Sequence, residues 1–356
     1  MWLKKGNQVR MGMTREQGIQ KVVGGGGHIV ILGAGASIAS TMRNPEQNGK
    51  QLPSMANFIS VVGLQDIVDT VPQELRSDDF EKLYSNLYTD NQESAAIKEI
   101  EKRVYEYFQD MRLPDIPTIY DYLVMSLRPK DIIATFNWDP FLFQAWNRNH
   151  NKGENPHLAF LHGNVAIGYS IDNKKSGPAG MYAKGGGYFE PTKLLYPVTQ
   201  KNYNQDEFIK KEWDRVRYWL SRESGAVRVT IFGYGAPTTD AEAVALLSEA
   251  WGKASKRTME QFEMIDIRAE DELTDLWKNF IFSHHYDYFS DYFDSELAYF
   301  PRRTSESYYH QFCPSTEDEA LQEPNPVPLN FQTLEEMWEW FEPLINAEAA
   351  WRIENG

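Results

Sequence analysis

Four short clusters of glycine and polar residues could do chemistry, because each follows directly on a run of β-branched and apolar residues. They occupy residues 33–37 (GAGAS), 135–139 (TFNWD), 162–163 (HG) and 233–235 (GYG). In an open α/β sheet, ligands bind beyond the carboxyl ends of the strands. If the apolar runs are strands, the four clusters meet at one edge of the sheet and predict a single binding site there.

The first cluster has the composition of a phosphate-binding turn. Gly33, Ala34 and Gly35 carry little or no side chain, so their backbone could approach a pyrophosphate closely. The helix that follows would direct N–H groups and a partial positive charge toward the same anion. The pattern departs from the usual dinucleotide fingerprint, since Ile38 occupies the position that G-x-G-x-x-G reserves for Gly or Ala. A tight strand-to-helix turn with Ser37 as a helix cap is the alternative interpretation.

The second cluster contains more polar side chains than a turn requires. Thr135, Asn137 and Asp139 alternate with two aromatic residues. Asn137 offers both a donor and an acceptor, which suits ribose hydroxyls or a positioned water. Asp139 stands before Pro140, a residue favoured in the first turn of a helix, so Asp139 is equally well interpreted as a helix cap.

Histidine is the natural general base at neutral pH, because its ordinary pKa lies near 6.5. His162 ends an apolar run and is the candidate for that role, with a hydrogen-bonded turn or core residue as the alternative. His284 and His285 form an adjacent pair without a third residue at metal-ligand spacing, so we expect a structural role for them and no metal site. The single cysteine, Cys313, excludes an intramolecular disulfide and a cysteine-rich zinc site.

The elements that would position these clusters alternate along the chain. Buried strands are predicted at 28–32, 131–136, 158–161, 227–232 and 264–267. Helices are predicted at 73–112, 118–127, 140–148, 205–222 and 240–252, with loops over 40–72 and 171–190. This alternation predicts an α/β fold: a Rossmann-like, doubly wound, mostly parallel sheet with a helical insertion at about 73–128.

The chain has 356 residues and a formal net charge of −15, and this charge is distributed unevenly along the sequence. Residues 271–356 hold 18 acidic and four basic residues, whereas the rest of the chain is almost neutral. We therefore expect three parts: a flexible lead-in at 1–27, a ligand-binding domain at 28–270, and an acidic C-terminal segment, helical at 334–345, for regulation or assembly. A solvated acidic exterior on a packed helical appendage is the alternative interpretation of that segment.

Composition also excludes several classes of protein. An acidic chain lacks the excess of Lys and Arg on which stand-alone nucleic-acid binding depends. No apolar run reaches the roughly 20 residues of a membrane-spanning helix, and the N-terminus lacks the apolar core of a signal peptide. We expect a cytoplasmic protein with no membrane contact and no direct binding of nucleic acid.

Taken in order, the clusters resemble the sirtuin family over about residues 28–268. The closer likeness is to the sirtuin-like NAD+ hydrolases of bacterial antiphage defence systems, which share the GAGAS spelling and a GY-x-x-P-x-x-D turn, here residues 233–240 (GYGAPTTD). The zinc-dependent protein deacylases of the family carry paired CxxC ligands and a Pro-Asp-Phe-Arg segment, and this chain has neither. The resemblance is therefore to a zinc-free sirtuin-like domain.

The resemblance implies NAD+ as the substrate and no metal. It implies pyrophosphate contacts from Gly33, Ala34, Gly35 and Ser37, nicotinamide-ribose contacts from Thr135, Asn137 and Asp139, a base at His162, and adenosine contacts from Gly233, Tyr234 and Asp240. Asn137 and His162 would be the catalytic residues, with Asn137 holding the ribose or a water and His162 accepting a proton.

The function that the resemblance implies is an NAD+ glycohydrolase that releases nicotinamide and ADP-ribose. Such an enzyme would be an abortive-infection effector in the bacterial cytoplasm, activated by a trigger or by a partner protein encoded nearby, and we expect a homo-oligomer. Two alternatives stay open: a non-catalytic subunit that senses NAD+ or ADP-ribose, and a zinc-free deacylase or ADP-ribosyltransferase. The presence of both Asn137 and His162 favours catalysis, because a sensor could lose either residue.

Overall fold

Parallel strands form the central sheet of the computed structural model, which describes residues 13–42, 50–184, 186–198, 203, 205–235, 240–257, 260–281, 286–313 and 323–355. The strands within these ranges are β1 (His28–Leu32), β2 (Ile132–Thr135), β3 (His157–Phe160), β4 (Ile167–Ser170), β5 (Lys175–Pro178), β6 (Glu190–Pro191), β7 (Arg228–Phe232), β8 (Gln261–Ile265) and β9 (Tyr286–Phe289). The helices are α1 (Arg15–Gln20), α2 (Ala34–Met42), α3 (Phe58–Val62), α4 (Gln65–Thr70), α5 (Phe80–Asn91), α6 (Ala95–Gln109), α7 (Ile119–Met125), α8 (Phe141–Asn149), α9 (Glu207–Leu220), α10 (Ala241–Trp251), α11 (Glu270–Trp277), α12 (Glu296–Tyr299), α13 (Thr304–Phe312) and α14 (Leu334–Asn355).

The main sheet has the order β3-β2-β1-β7-β8-β9, and each neighbouring pair is parallel. All residues of β1, β2, β7 and β8 are buried, as expected where helices cover both faces of a parallel sheet. The chain leaves β1 toward β3 and later returns to β7 on the other side of β1. The topological switch point therefore lies between β1 and β7. This architecture confirms the predicted Rossmann-like α/β fold.

The helices before β2 form a layer that begins earlier than the sequence indicates. α3 and α4 lie within the range 40–72 that was expected to be a loop, and residues 43–49 of that range lie outside the described residues. These two helices span five and six residues, which is too short for a helical period to stand out. Asp79 and Ser94 cap α5 and α6 through their side chains, and Phe58 of α3 stacks on Phe80 of α5 with ring centroids 4.0 Å apart.

The prediction of a loop over 171–190 is wrong in part. β5 lies within this range and pairs with β4, which pairs with β6 on its other side to form a small antiparallel sheet. Glycines with left-handed backbone at Gly180, Gly186 and Gly187 allow the chain to reverse between β5 and β6. The sequence KSGP of β5 is largely exposed, so it carries no apolar pattern that could reveal a strand.

The C-terminal segment joins the body of the protein at several points. β9 pairs with β8 as the outermost strand of the main sheet. α14 extends beyond the predicted end at residue 345, with Pro343 inside it, and buries Met337, Phe341 and Leu344 on one face. No helix in the described ranges is both long and apolar enough to span a membrane.

Five charged side chains, which we call the basal ion cluster, lie at the amino-terminal edge of the sheet: Arg128, Arg302, Arg303, Glu306 and Glu348. Glu348 accepts from Arg302 at 2.6 Å and from Arg303 at 2.6 Å, and Arg128 donates to Glu306 at 2.7 Å. Each of these side chains is at most 7% exposed. The cluster therefore fixes the C-terminal segment to the body at the edge opposite the four sequence clusters.

Candidate functional site

A cleft of about 370 Å³ opens at the carboxyl ends of the central strands. The residues that line it follow four neighbouring strands: Gly33, Ala34 and Ser37 after β1, Asn137 and Asp139 after β2, Gly233 and Tyr234 after β7, and Arg268 after β8. His162, Asp240 and the helical-layer residues Phe58, Glu81 and Phe108 also line the cleft. The cleft thus spans the switch point between β1 and β7, the position where doubly wound sheets bind their ligands.

The glycine turn after β1 packs directly against the turn after β7. The N–H of Gly33 donates to the carbonyl of Phe232 and the N–H of Gly35 to that of Gly233, each at 3.0 Å. A Cβ on Gly33 would lie 2.5 Å from the carbonyl oxygen of Gly233, and a Cβ on Gly35 would lie 2.8 Å from the Cα of Gly233. Gly233 itself has a φ of 63°, and its Cβ would collide with the N atom of Ala36. The close approach of the two turns therefore requires these glycines whether or not a phosphate binds there.

Ser37 lies inside α2 rather than capping it, and its hydroxyl is the centre of a buried hydrogen-bond network. The Ser37 hydroxyl donates to Oδ2 of Asp139 at 2.7 Å and accepts from Nδ2 of Asn137 at 2.8 Å. The Tyr120 hydroxyl lies 2.6 Å from the same oxygen. Because the single Ser37 proton goes to Asp139, Tyr120 is the donor in that contact. We call Ser37, Tyr120, Asn137 and Asp139 the Ser37 network.

Asn137 is held on both its side chain and its backbone. Its Nδ2 also donates to the carbonyl of Gly33 at 2.8 Å, so the amide nitrogen is committed to the protein. Thr135 is fully buried in β2, and its Oγ1 accepts from the N–H of Asn137 at 3.0 Å. Nδ2 of Asn164 donates to the carbonyls of Asn137 and Asp139 at 3.1 and 2.6 Å. Thr135 therefore supports the cluster from behind and does not line the cleft.

Asp139 is both a helix-capping residue and a residue of the cleft, the two interpretations that the sequence allowed. Its Oδ1 accepts from the N–H of Phe141 at the start of α8, at 3.1 Å, and the residue also lines the cleft. Burial raises the pKa of Asp139 to about 6, against the opposing effect of the hydrogen bonds from Ser37 and Phe141. Its carboxyl group thus changes charge close to neutral pH.

His162 lies in a second group of polar side chains, with Asp240 and two tyrosines. Nε2 of His162 lies 3.0 Å from the Tyr203 hydroxyl and 3.7 Å from Oδ1 of Asp240. Tyr203 and Tyr234 both donate to Asp240, at 3.3 and 3.1 Å. The Tyr203 proton therefore goes to Asp240, so the contact with His162 requires a proton on Nε2. The structure thus places Asp240 and Tyr234 beside the histidine.

Several residues that hydrogen-bond to the lining side chains or their backbone carry little signal in the sequence. Tyr120 lies in an apolar helix, and Tyr203 and Asn164 lie in loops. Arg268 follows the end of β8, as the four clusters follow their strands, and that position could have identified it. Residues 236–239 and the pair His284 and His285 lie outside the described residues. Within the described ranges, no group of three His, Cys, Asp or Glu side chains is arranged to hold a metal ion.

No family model matches the sequence, and no curated protein is detectably similar to it. Among the solved structures that align with the chain is a Sir2 homologue–NAD complex, with a TM-score of 0.38 and 13% identity over 77% of this chain and 86% of that one. A mutant Sir2 homologue in complex with ADP-ribose gives 0.36 and 10% over 74% and 94%. Sir2Tm bound to a propionylated peptide gives 0.34 and 12% over 74% and 88%. These likenesses are distant, so the function is inferred from the cleft itself.

Proposed function

We propose that the protein hydrolyses NAD+ to nicotinamide and ADP-ribose in the cleft at the switch point. The observation that carries the proposal is the convergence of Asn137, Asp139 and His162 on one cavity beside the glycine turn. Asn137 and Asp139 follow β2 and His162 follows β3, and each offers a group that the reaction needs. A cavity of about 370 Å³ falls within the range of small-molecule sites, roughly 300–1,000 Å³.

The reaction replaces a carbon–nitrogen bond with a carbon–oxygen bond. Nicotinamide is a cationic leaving group, and it departs with the electron pair of the glycosidic bond, so positive charge develops on the ribose ring. Asp139 is buried, and its carboxylate would stabilise that charge strongly in a low-dielectric site. Asn137 is fixed by Gly33 and Ser37, so it would hold the ribose or the attacking water without reorganisation.

His162 is the residue best suited to accept the proton that water loses on attack. The carboxylate of Asp240, 3.7 Å from Nε2 of His162, would stabilise the resulting imidazolium. Tyr203 bridges the two groups and would keep the ring oriented. In this scheme Asn137 and His162 are the catalytic residues, and Tyr203 is a positioning residue.

The cellular role that we propose is based on the resemblance of the sequence to bacterial antiphage NAD+ hydrolases. Loss of NAD+ stops metabolism, so the activity would serve abortive infection and would need a trigger or a partner protein to release it. The acidic segment 271–356 is the proposed surface for this regulation or for assembly of a homo-oligomer, through the side chains that it leaves exposed, such as Glu339 and Glu342.

The test is the quantification of nicotinamide and ADP-ribose by HPLC after the purified protein, alone and together with any protein encoded by a neighbouring gene, is incubated with NAD+. Asn137→Ala and His162→Ala should each lower the rate by about 100-fold or more. His150→Ala, which changes an exposed histidine, is the matched control and should match wild type. Thermal denaturation of each variant shows that it is folded.

Three other results would contradict the proposal. Binding of ADP-ribose without turnover would identify a sensing subunit. Nicotinamide release that depends on an added acyl-lysine peptide or acceptor protein would identify a deacylase or a transferase. Turnover that survives both substitutions would place the chemistry elsewhere in the molecule.

A further inference from the structure

We propose that Arg268 binds a phosphate group of the nucleotide in the cleft. The inference rests on the proposed function, since it takes NAD+ as the ligand. It assigns to one side chain the phosphate binding that the sequence pattern predicts for the glycine turn. The phosphate is either part of the diphosphate that NAD+ and ADP-ribose share or a 2′-phosphate on the adenosine ribose.

The glycine turn has few N–H groups to offer an anion. The N–H groups of Gly33, Gly35 and Ala36 donate to the carbonyls of Phe232, Gly233 and Gly33, each at 3.0 Å. A phosphate-binding turn works because several N–H groups point at the anion together. With three of them used within the protein, most of the positive charge for a phosphate must come from a side chain.

Arg268 has the position to supply that charge. It follows β8, the strand next to β7, and it lines the same cleft as the glycine turn. A Cβ on Gly235 would lie 2.6 Å from Cζ of Arg268, so the guanidinium lies against Gly235 in the turn after β7. The turn after β7 also contacts Gly33, since a Cβ added to Gly33 would lie 2.6 Å from the Cα of Tyr234.

Arg268 differs in the sign of its charge from the other charged side chains that line the cleft. Among the described lining residues, Glu81, Asp139 and Asp240 carry carboxyl groups, and Arg268 is the one lysine or arginine. Asp266 holds Nε and Nη2 of Arg268 at 3.0 and 2.6 Å, which orients the guanidinium and leaves Nη1 on the side of Gly235. An oriented guanidinium is permanently charged and well suited to phosphate oxygens.

The separation of charge also matches a dinucleotide. Asp139 follows β2 and Arg268 follows β8, three strand spacings apart, which is about 14 Å. NAD+ is cationic at its nicotinamide end and anionic at its phosphates. A carboxylate at one end of the cleft and a guanidinium toward the other would therefore fix the direction in which the ligand binds.

Isothermal titration with ADP-ribose, 2′-phospho-ADP-ribose and adenosine tests the assignment without turnover. Arg268→Gln should weaken ADP-ribose binding by about 10- to 100-fold and leave adenosine binding unchanged, if the contact is with the diphosphate. If the contact is with the 2′-phosphate, only the affinity for 2′-phospho-ADP-ribose should fall. Arg222→Gln removes an exposed arginine outside the cleft and should change none of the three.

Asp266 is 8% exposed and would lose its partner in Arg268→Gln, so the double variant Asp266→Asn/Arg268→Gln repeats the titrations without a buried unpaired carboxylate. Equal loss of adenosine binding, or phosphate-ligand affinities within twofold of wild type in both variants, overturns the role of Arg268. Wild-type protein that binds ADP-ribose but does not hydrolyse NAD+, either alone or with the proteins encoded nearby, would refute the proposed function and leave Arg268 as a phosphate-binding residue. Wild-type protein that binds none of the ligands would refute both.

Discussion

Replacement of Glu348 by alanine will leave two guanidinium groups inside the protein without their anion. Glu348 accepts from Nε and Nη2 of Arg302 at 2.8 and 2.6 Å and from Nη1 of Arg303 at 2.6 Å. The Glu348 side chain is 7% exposed, and the two arginines are 1% and 3% exposed. The two guanidinium groups are therefore almost fully shielded from solvent where they lose the carboxylate.

The expected cost follows from the burial of these charges. Removal of one partner from a buried ion pair destabilises a protein by about 3–5 kcal/mol. A chain of 356 residues unfolds with an entropy of about 0.75 kcal/mol per kelvin near 60 °C, at roughly 2.1 cal/mol/K per residue. The melting temperature of Glu348→Ala should therefore fall by about 4–7 °C.

Calorimetry at neutral pH provides the measurement, with Glu342→Ala as the control because Glu342 is exposed on the same helix. Burial alone would raise the pKa of Glu348, but Arg302 and Arg303 lower it below its ordinary value of 4.5. Its stabilising effect is therefore complete above the ordinary value and is lost as the pH falls below it. A melting temperature for Glu348→Ala equal to that of the control, or an unchanged acid dependence, would refute the reasoning.

Three more predictions concern the cleft. The pKa of about 6 for Asp139 predicts that nicotinamide release falls as the pH drops through 6, because protonation removes the negative charge, and Asp139→Asn should be slow and show one ionisation fewer in its pH–rate profile. Gly233→Ala should lower the melting temperature more than Gly63→Ala, since both residues have left-handed backbone but only Gly233 has neighbours that a Cβ would meet; equal shifts would show that the two turns are not tightly packed. Tyr203→Phe should lower kcat about tenfold with little change in KM, because it removes the hydroxyl between the histidine and its carboxylate, whereas Tyr218→Phe, an exposed change, should leave both constants at the wild-type values.

The central sheet was predictable because buried parallel strands have a recognisable apolar run in the sequence. β1 reads HIVIL, and its residues are all buried, so the apolar run and the strand coincide. The clusters that follow β1, β2 and β7 could be assigned to one edge by the topology of such sheets alone. β9 was not predictable in this way, since its sequence YDYF is half-buried at the margin of the sheet and carries no apolar run.

The details of the site depended on contacts between distant parts of the chain. The sequence could not indicate that Tyr120 would bond Ser37, because the two residues are 83 positions apart and Tyr120 resembles its apolar neighbours. In the same way, the 41 positions between His162 and Tyr203 conceal their contact. Spacing identifies candidate residues at strand ends, whereas the partners that orient them come from helices and loops whose packing the local sequence does not encode.

The strand order has a consequence for how the chain folds during its synthesis. β1 pairs with β2 about 100 residues later and with β7 about 200 residues later. At about 5–20 residues per second, the apolar strand at the centre of the sheet waits about 10–40 s on the ribosome for its second neighbour. Glu348 leaves the ribosome still later, so the nascent chain exposes its most apolar strand well before the ion cluster can close the opposite edge. Delayed completion of this kind predicts that chaperones that shield apolar segments will raise the yield of folded protein.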